Sequence, residues 1–442
     1  MDSTSEVESI FFLTQITPMI DVNRIRAQFP ALSRQFNGQP LVYFDAPGGT
    51  QTAQHCITRM VDYLQRTNAN THGAFVTSQE SDQVIDDAHE AGADFLNAKS
   101  RDEIVFGQNM TSLTFSLSRS IGQTLKEGDE IILTRLDHDA NFSPWHLMAQ
   151  ERGVKVNIVD INEADCTLNL DDYERYLNSR TKLVAVGLVS NAVGTLNPVK
   201  GIIGMAHAAG ALTFVDAVAG APHVSIDVQD LDTDFLACSP YKFWGPHQGM
   251  LYGKYDLLDR LPAYKVRPAE SKPPHKFQTG TQSHESQAGL IGVIEYLQWF
   301  ADTIAAAAAA AAPAPSAATL RSPRARQIST AMNVSNAYEQ ELCQYLIENV
   351  LKIKGLRFFG IRDPQRAGQR VPTIAIRLEN EHPHTTAERL GQNGICVWDG
   401  NYYAINLTER LGIEDSGGMV RIGLSHYNTH AEIDRLLNVL GG

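Results

Sequence analysis

Through the middle of the chain, short apolar runs alternate with segments of helical spacing. Residues 103–106, 130–134, 154–159, 182–189, 211–216, 234–238 and 248–252 are predicted strands, several rich in Val, Ile and Leu on both faces. A strand apolar on both faces belongs in a sheet covered by helices on either side. Between these runs, 83–97, 171–178 and 199–209 carry helical spacing. The alternation predicts a doubly wound α/β layer around one large, mainly parallel seven-stranded sheet.

After about residue 290 the pattern changes. A predicted helix over 288–300 leads to eight consecutive alanines at 305–312 and then Pro313-Ala314-Pro315-Ser316. This composition predicts a helix that frays into a flexible loop. A smaller α/β unit follows from about Ser329, with strands at 356–359, 372–378, 395–398 and 419–424. Its last helix covers 431–440, capped by Thr429 or His430. The expected organisation is a disordered tail at 1–20, a segment at 21–40 packing on the small domain, and a large domain at 41–300. A linker or loop at 301–328 and a small C-terminal domain at 329–442 complete it.

Composition narrows the picture. The 442 residues, 43% hydrophobic, suffice for one large core and a second, smaller one. A net charge of −13 argues against nucleic acid or an anionic membrane as the main partner. The apolar stretch Ile10-Phe11-Phe12-Leu13 is too short to span a bilayer. Five cysteines with no CxxC pair argue against a disulfide framework or a zinc ribbon; no metal site is expected, and reduced thiols fit a cytoplasmic protein. No GxGxxG or GxxxxGK[ST] follows a strand, which leaves a nucleotide-binding reading without support.

Candidate chemistry gathers at strand ends. Lys242 follows the apolar run 234–238 and precedes Phe243-Trp244-Gly245-Pro246. An isolated lysine is ordinarily a solvated surface residue, but this context predicts burial. Burial lowers an amine's pKa and favours the neutral form that attacks a carbonyl. Asp216 ends the run 211–216, where open α/β sheets place their ligands; alone it would be a turn or cap residue. His138 follows the run 130–134 with Asn141 and Trp145 close behind. A lone histidine is usually structural, whereas the three together suggest a site.

These segments stand among others: Tyr43-Phe44-Asp45-Ala46, Asp137-His138-Asp139-Ala140-Asn141 with Pro144-Trp145, Val189-Ser190-Asn191, Gly194-Thr195, Asn197-Pro198, Gly280-Thr281, and Arg421 before Tyr427-Asn428. In this order, over about residues 25–440, the chain resembles the cysteine desulfurase and selenocysteine lyase group of class V aminotransferases, which have pyridoxal-phosphate (PLP) fold type I. The resemblance implies pyridoxal 5'-phosphate as cofactor, bound covalently by Lys242, which also shuttles protons. It implies Asp216 on the pyridine nitrogen, His138 against the ring and Asn191 on the ring hydroxyl. Met110 and Thr111 at a helix start, with Ser239 and Tyr241, would hold the phosphate. Thr281 would reach the phosphate of a neighbouring subunit, which implies a homodimer with shared sites. Arg421 would grip the carboxylate of a small amino-acid substrate, with Asn141 and Tyr403 beside it.

The chain departs from that group in three places. Desulfurases take sulfur onto a mobile cysteine in a loop before the carboxylate-binding arginine. Aligned on its glycines, segment 394–404 puts Tyr403 there, and no cysteine occurs between Val397 and Arg421. Cys396 and Cys238 are predicted to be strand residues in the core. Ala219 stands where many relatives have glutamine or histidine, and Tyr241 replaces the commoner histidine. The expected activity is therefore a desulfurase-like C–S elimination that needs Lys242 as base and no persulfide cysteine. Epimerisation and transamination are the alternatives. A reading from another class is a PLP-fold binding or scaffold protein in sulfur trafficking.

Overall fold

The computed structural model describes residues 20–308 and 320–441. The expected tail, but for Ile20, and the stretch 309–319, where the alanine run was to fray, lie outside the described residues.

Seven strands form the large sheet: β1 (Ile104–Gly107), β2 (Glu130–Thr134), β3 (Lys155–Val159), β4 (Thr181–Gly187), β5 (Leu212–Asp216), β6 (Phe235–Cys238) and β7 (Gly249–Gly253). Their order is β1-β7-β6-β5-β4-β2-β3. β7 runs antiparallel to β6 and β1, and the neighbouring pairs from β6 to β3 are parallel. All seven predicted runs become these strands, because their apolar faces are covered on both sides. Phe214, Val215, Phe235 and Leu236 are fully buried, each contributing about 1.5–3 kcal/mol.

Helices form where spacing and caps agree. α1 (Val76–Leu96) begins seven residues before the expected 83 and ends on left-handed Asn97. Its first turns bury Ser78 and Ser81 and expose Val76, the reverse of an apolar core stripe, so periodicity alone misses them. α2 (Met110–Gly122) follows β1 and is capped by Asn109, whose Oδ1 accepts the Ser112 N–H at 2.8 Å. α3 (Val199–Ala208) crosses back to β5. Both ends of the predicted linker are helical: α4 (His284–Ala308) runs into it and α5 (Pro323–Val350), capped by Ser322, begins inside it.

The smaller sheet has order β8-β9-β11-β10, built from β8 (Leu356–Phe359), β9 (Thr373–Leu378), β10 (Trp398–Gly400) and β11 (Met419–Gly423). The predicted strand 395–398 breaks at Val397. Ile395–Cys396 pairs in parallel with Val42–Tyr43, while Trp398 moves to the other sheet opposite Arg421. This break leaves Cys396 half-buried rather than in the core. The last helix, α6 (His430–Leu440), has Thr429 as its cap and a reciprocal Glu432 bond.

Candidate active site

The predicted residues converge on the carboxyl ends of the parallel strands, where strand-to-helix turns leave polar side chains facing a crevice. Asp216 is the last residue of β5. His138 follows β2 and caps a short turn, its Nδ1 accepting the Ala140 N–H at 3.0 Å. Lys242 closes the 3₁₀ turn Pro240–Lys242 after β6, and Asn191 follows β4. Arg421 arrives from the smaller sheet, on β11.

Their electrostatics reflect burial. The Lys242 amine is lowered to about 7, first by desolvation and then by the Arg421 charge, with Asp216 opposing. Desolvation raises Asp216 to about 6, against a Val218 N–H at 2.9 Å and the Lys242 charge. His138 is lowered to about 4 by burial and by Lys242 and Arg421, so it is a neutral ring at physiological pH. The Lys242 Nζ donates to the Pro47 carbonyl and lies 4.9 Å from the Tyr241 ring centre.

Arg421 is clamped between elements. Its Nη1 donates to the Asn191 carbonyl at 2.8 Å, and its guanidinium lies 4.3 Å over the Tyr402 ring. Its buried Nε has no acceptor, and neither has the buried Asn191 Oδ1 a donor. Buried polar groups of this kind are normally paired, so both mark places for a ligand. Tyr402 and Tyr403 both have left-handed backbone, φ 55° and 62°, a cost of roughly 1–2 kcal/mol each. Their loop is tied down on several sides: the Asn191 Nδ2 donates to the Tyr402 carbonyl at 2.8 Å and the Asp139 N–H to the Tyr403 carbonyl at 2.7 Å. The Tyr403 ring stacks on His138, centroids 5.4 Å apart and 28° between planes, and stays 69% exposed.

The remaining candidates surround this group. Asn141 is fully buried, its Nδ2 donating to Asp137 at 3.1 Å and its Oδ1 accepting the Trp145 indole N–H at 3.0 Å. With both ends engaged it braces the His138 turn instead of reaching a substrate. Met110 is buried and Thr111 exposed in the first turn of α2, whose leading N–H groups have no acceptor within the helix. Ser239 is buried at the end of β6, and the Tyr241 ring stacks on His247 at 5.0 Å. His247, Ser112 and Thr281 line one cleft of about 260 Å³ within the same chain. A wider cleft of about 590 Å³, lined by Arg377, Glu381 and Ser416, contains none of the predicted site residues. Among the described residues no cluster of three or more His, Cys, Asp or Glu could hold a metal.

Sequence reasoning missed two participants. Asp137, raised to about 7 by burial and opposed by its bonds to Thr134 and Asn141, sits beside Asp216. Asp45, raised to about 6 by burial, faces Arg421. Tyr402 supplies the platform for Arg421. The two aspartates lie in quoted segments, but their burial depends on chains meeting across the fold.

The residues present fit pyridoxal phosphate. The unpaired Asn191 Oδ1 suits a ring hydroxyl, Asp216 a ring nitrogen, the neutral face of His138 the ring, and a Lys242 lowered to about 7 an aldehyde.

Fold and crevice together define a cofactor-dependent α/β enzyme of the class V aminotransferase type. Residues 42–322 and 313–436 match the model of the aminotransferase class-V family, and the chain belongs to that family, which is pyridoxal-phosphate-dependent. Within it the chain is cysteine desulfurase-like. It is 33% identical over 430 residues to a cysteine desulfurase of Synechococcus elongatus, covering 94% of this chain and 62% of the relative. It is 31% identical over 435 residues to a cysteine desulfurase of Pectobacterium atrosepticum, covering 94% and 96%. The chain thus spans nearly all of the second relative and under two thirds of the first. The apo structure of a cysteine desulfurase from Thermococcus onnurineus NA1 superposes with a TM-score of 0.81 at 25% identity, covering 95% of this chain and 97% of that one. A cysteine desulfurase from Escherichia coli gives 0.78 at 26% identity, with the same coverage. The fold class and the family resemblance expected from the sequence both hold.

Proposed function

We propose that this protein cleaves the C–S bond of a small sulfur-containing amino acid by elimination, without an enzyme persulfide. The observation that carries the reading is the state of the thiols. Cys56, Cys166, Cys238 and Cys343 are buried, and burial raises the thiol pKa of each, Cys56 to about 12 and Cys166 to about 11. Half-buried Cys396 is raised to about 11, also by burial first. A sulfur-accepting cysteine must be a reachable thiolate. The side chain stacked on His138 is Tyr403.

Bound in this crevice, pyridoxal phosphate would supply an aldehyde carbon and a ring that accepts electrons from the substrate's α-carbon. Lys242 would anchor it, Asp216 Oδ2 would hold the proton on the ring nitrogen, and Asn191 Oδ1 would accept from the ring hydroxyl. Met110, Thr111, Ser239 and Tyr241 would seat the phosphate. Arg421 Nε, buried and free, donates to the substrate carboxylate. Once the substrate amine has replaced it on the cofactor, the Lys242 amine, pushed towards its neutral form by burial, would take the α-proton. Loss of that proton lets the Cβ–S bond break, with the electron pair leaving on sulfur. The sulfur takes up a proton and departs as sulfide or thiol, and water converts the three-carbon remainder to pyruvate and ammonia. Tyr402 under Arg421, Trp398 opposite it in the smaller sheet and Tyr403 on His138 would together present aromatic faces to the substrate.

A homodimer with shared sites is part of this reading. Val61, Leu64, Phe75 and Val76 are large apolar residues left exposed on one stretch of chain, and Thr281 is exposed at the mouth of the α2 cleft.

The test is the visible spectrum of the PLP-loaded protein titrated with L-amino acids including cysteine and cystine, with sulfide and pyruvate measured. Stoichiometric pyruvate and sulfide, retained within about twofold in Cys396→Ser, are expected from a base-only elimination. Racemised amino acid or keto acid without sulfide would replace elimination by epimerisation or transamination. A cofactor band that no amino acid moves would favour the scaffold reading.

A further inference from the structure

Behind the crevice lies a second buried polar cluster that the elimination chemistry does not use. Glu339, on α5, is completely buried. Its Oε2 lies 2.7 Å from His223 Nδ1, and its Oε1 lies 3.8 Å from His426 Nδ1. The other nitrogen of His426, Nε2, meets the Tyr296 hydroxyl of α4 at 2.5 Å. His223, His426 and Tyr296 are each at most 2% exposed. Burial raises the Glu339 carboxyl, opposed by the His223 charge, and lowers His426 to about 3.

The position of the cluster in the chain gives it a role. His223 ends the turn that starts at Asp216, and its carbonyl accepts the Asn336 Nδ2 of α5 at 2.9 Å. His426 stands five residues after Arg421, in the turn that closes β11. Trp244, two residues after Lys242, packs edge-on against His426 with centroids 4.5 Å apart, and its indole N–H donates to Ser425 Oγ at 3.1 Å. The three segments that carry Asp216, Lys242 and Arg421 therefore meet at Glu339 and His426. Arg421 comes from a different sheet than the other two, so its reach to the crevice depends on how this turn is seated.

We propose that Glu339, His223, His426 and Tyr296 form a positioning knot that fixes Arg421 relative to Lys242 and Asp216, and so sets the affinity of the site for the substrate carboxylate. The inference rests on the proposed carboxylate role of Arg421 but not on the nature of the bond cleaved. A misplacement of about 1 Å by a remote residue can cost up to about 100-fold in binding or rate.

The experiment uses full-length, PLP-loaded protein with Glu339→Gln and Tyr296→Phe, the latter removing one hydroxyl and little volume. Binding of a short monocarboxylate lacking an amino group is measured by calorimetry, beside KM, kcat and the melting temperature. Expected is a carboxylate dissociation constant raised about tenfold in Glu339→Gln and about threefold in Tyr296→Phe, with KM following and kcat within about twofold. Carboxylate affinity and KM unchanged in Tyr296→Phe, whatever its melting temperature, would overturn the proposal and leave the cluster purely structural. Should Glu339→Gln not fold, Tyr296→Phe decides alone. A wild-type protein that binds the carboxylate but releases no sulfide would sink the elimination reading and leave this one standing.

Discussion

Among the described residues, one buried cluster of ionisable groups lies at the crevice and another behind it. The front cluster, Lys242, Asp216, Asp137, His138 and Arg421, has shifted pKa values and leaves the Arg421 Nε donor open beside the open acceptor Asn191 Oδ1. The back cluster, Glu339, His223, His426 and Tyr296, includes equally perturbed groups; two of its pairs meet at 2.5 and 2.7 Å, while Glu339 Oε1 stays 3.8 Å from His426. A shifted pKa reports desolvation in both places, so by itself it does not mark a site. An unpaired buried atom occurs in each, Arg421 Nε in front and Glu339 Oε1 behind, so what separates the clusters is their place: the front one stands at the carboxyl ends of the parallel strands, where such sheets take their ligands.

The comparison breaks most sharply at Lys242. Lys242→Ala should lower kcat by about 1,000-fold or more and remove the cofactor's lysine-bound absorption band, read by stopped-flow and spectrum. At the same time Lys242→Met should raise the melting temperature of the cofactor-free protein at pH 7, because it removes a buried amine. An equal loss of kcat in Glu339→Gln would erase the distinction between the clusters.

Next in size is Arg421→Gln, expected to raise KM by about 10- to 100-fold with a smaller change in kcat, as a charge-assisted pair to carboxylate is lost. On the back side, His223→Ala leaves Glu339 buried without its partner and should cost about 3 kcal/mol of stability by denaturant titration. Its kcat should stay near wild type.

The pH dependence sharpens the contrast further. The folded pKa of Lys242, about 7, lies below its ordinary 10.5, so the unfolded chain binds more protons between those values. Stability of the cofactor-free protein should therefore rise with pH from about 7 towards 10.5, and Lys242→Met should flatten that slope. The smallest expected effect is at the phosphate end: Thr111→Val should weaken cofactor affinity only about fivefold, since neighbouring N–H groups remain. A spectrophotometric PLP titration reads it.

The large sheet was legible because each of its strands announces itself by a run of apolar residues, and so were Lys242, Asp216 and His138, which stand directly after such runs. The misreadings fell where local pattern is a poor guide. The start of α1 buries serines and exposes a valine, and the strand at 395–398 changes sheets at Val397. Asn141 was expected at the substrate, yet its amide is consumed by Asp137 and Trp145.

The sequence by itself determined the alternation of strands and helices, the strand-end placement of the lysine, aspartate and histidine, and the absence of a cysteine between Val397 and Arg421. These are properties of short windows, where hydrophobic period and neighbouring residues act directly. Only the tertiary structure decided that Arg421 of the smaller sheet meets Asn191 of the larger, that Tyr402 and Tyr403 are held in left-handed backbone over the crevice, and that Glu339 is buried between two histidines. Those contacts join residues far apart in the chain, and their energies depend on desolvation that exists only once the elements have packed.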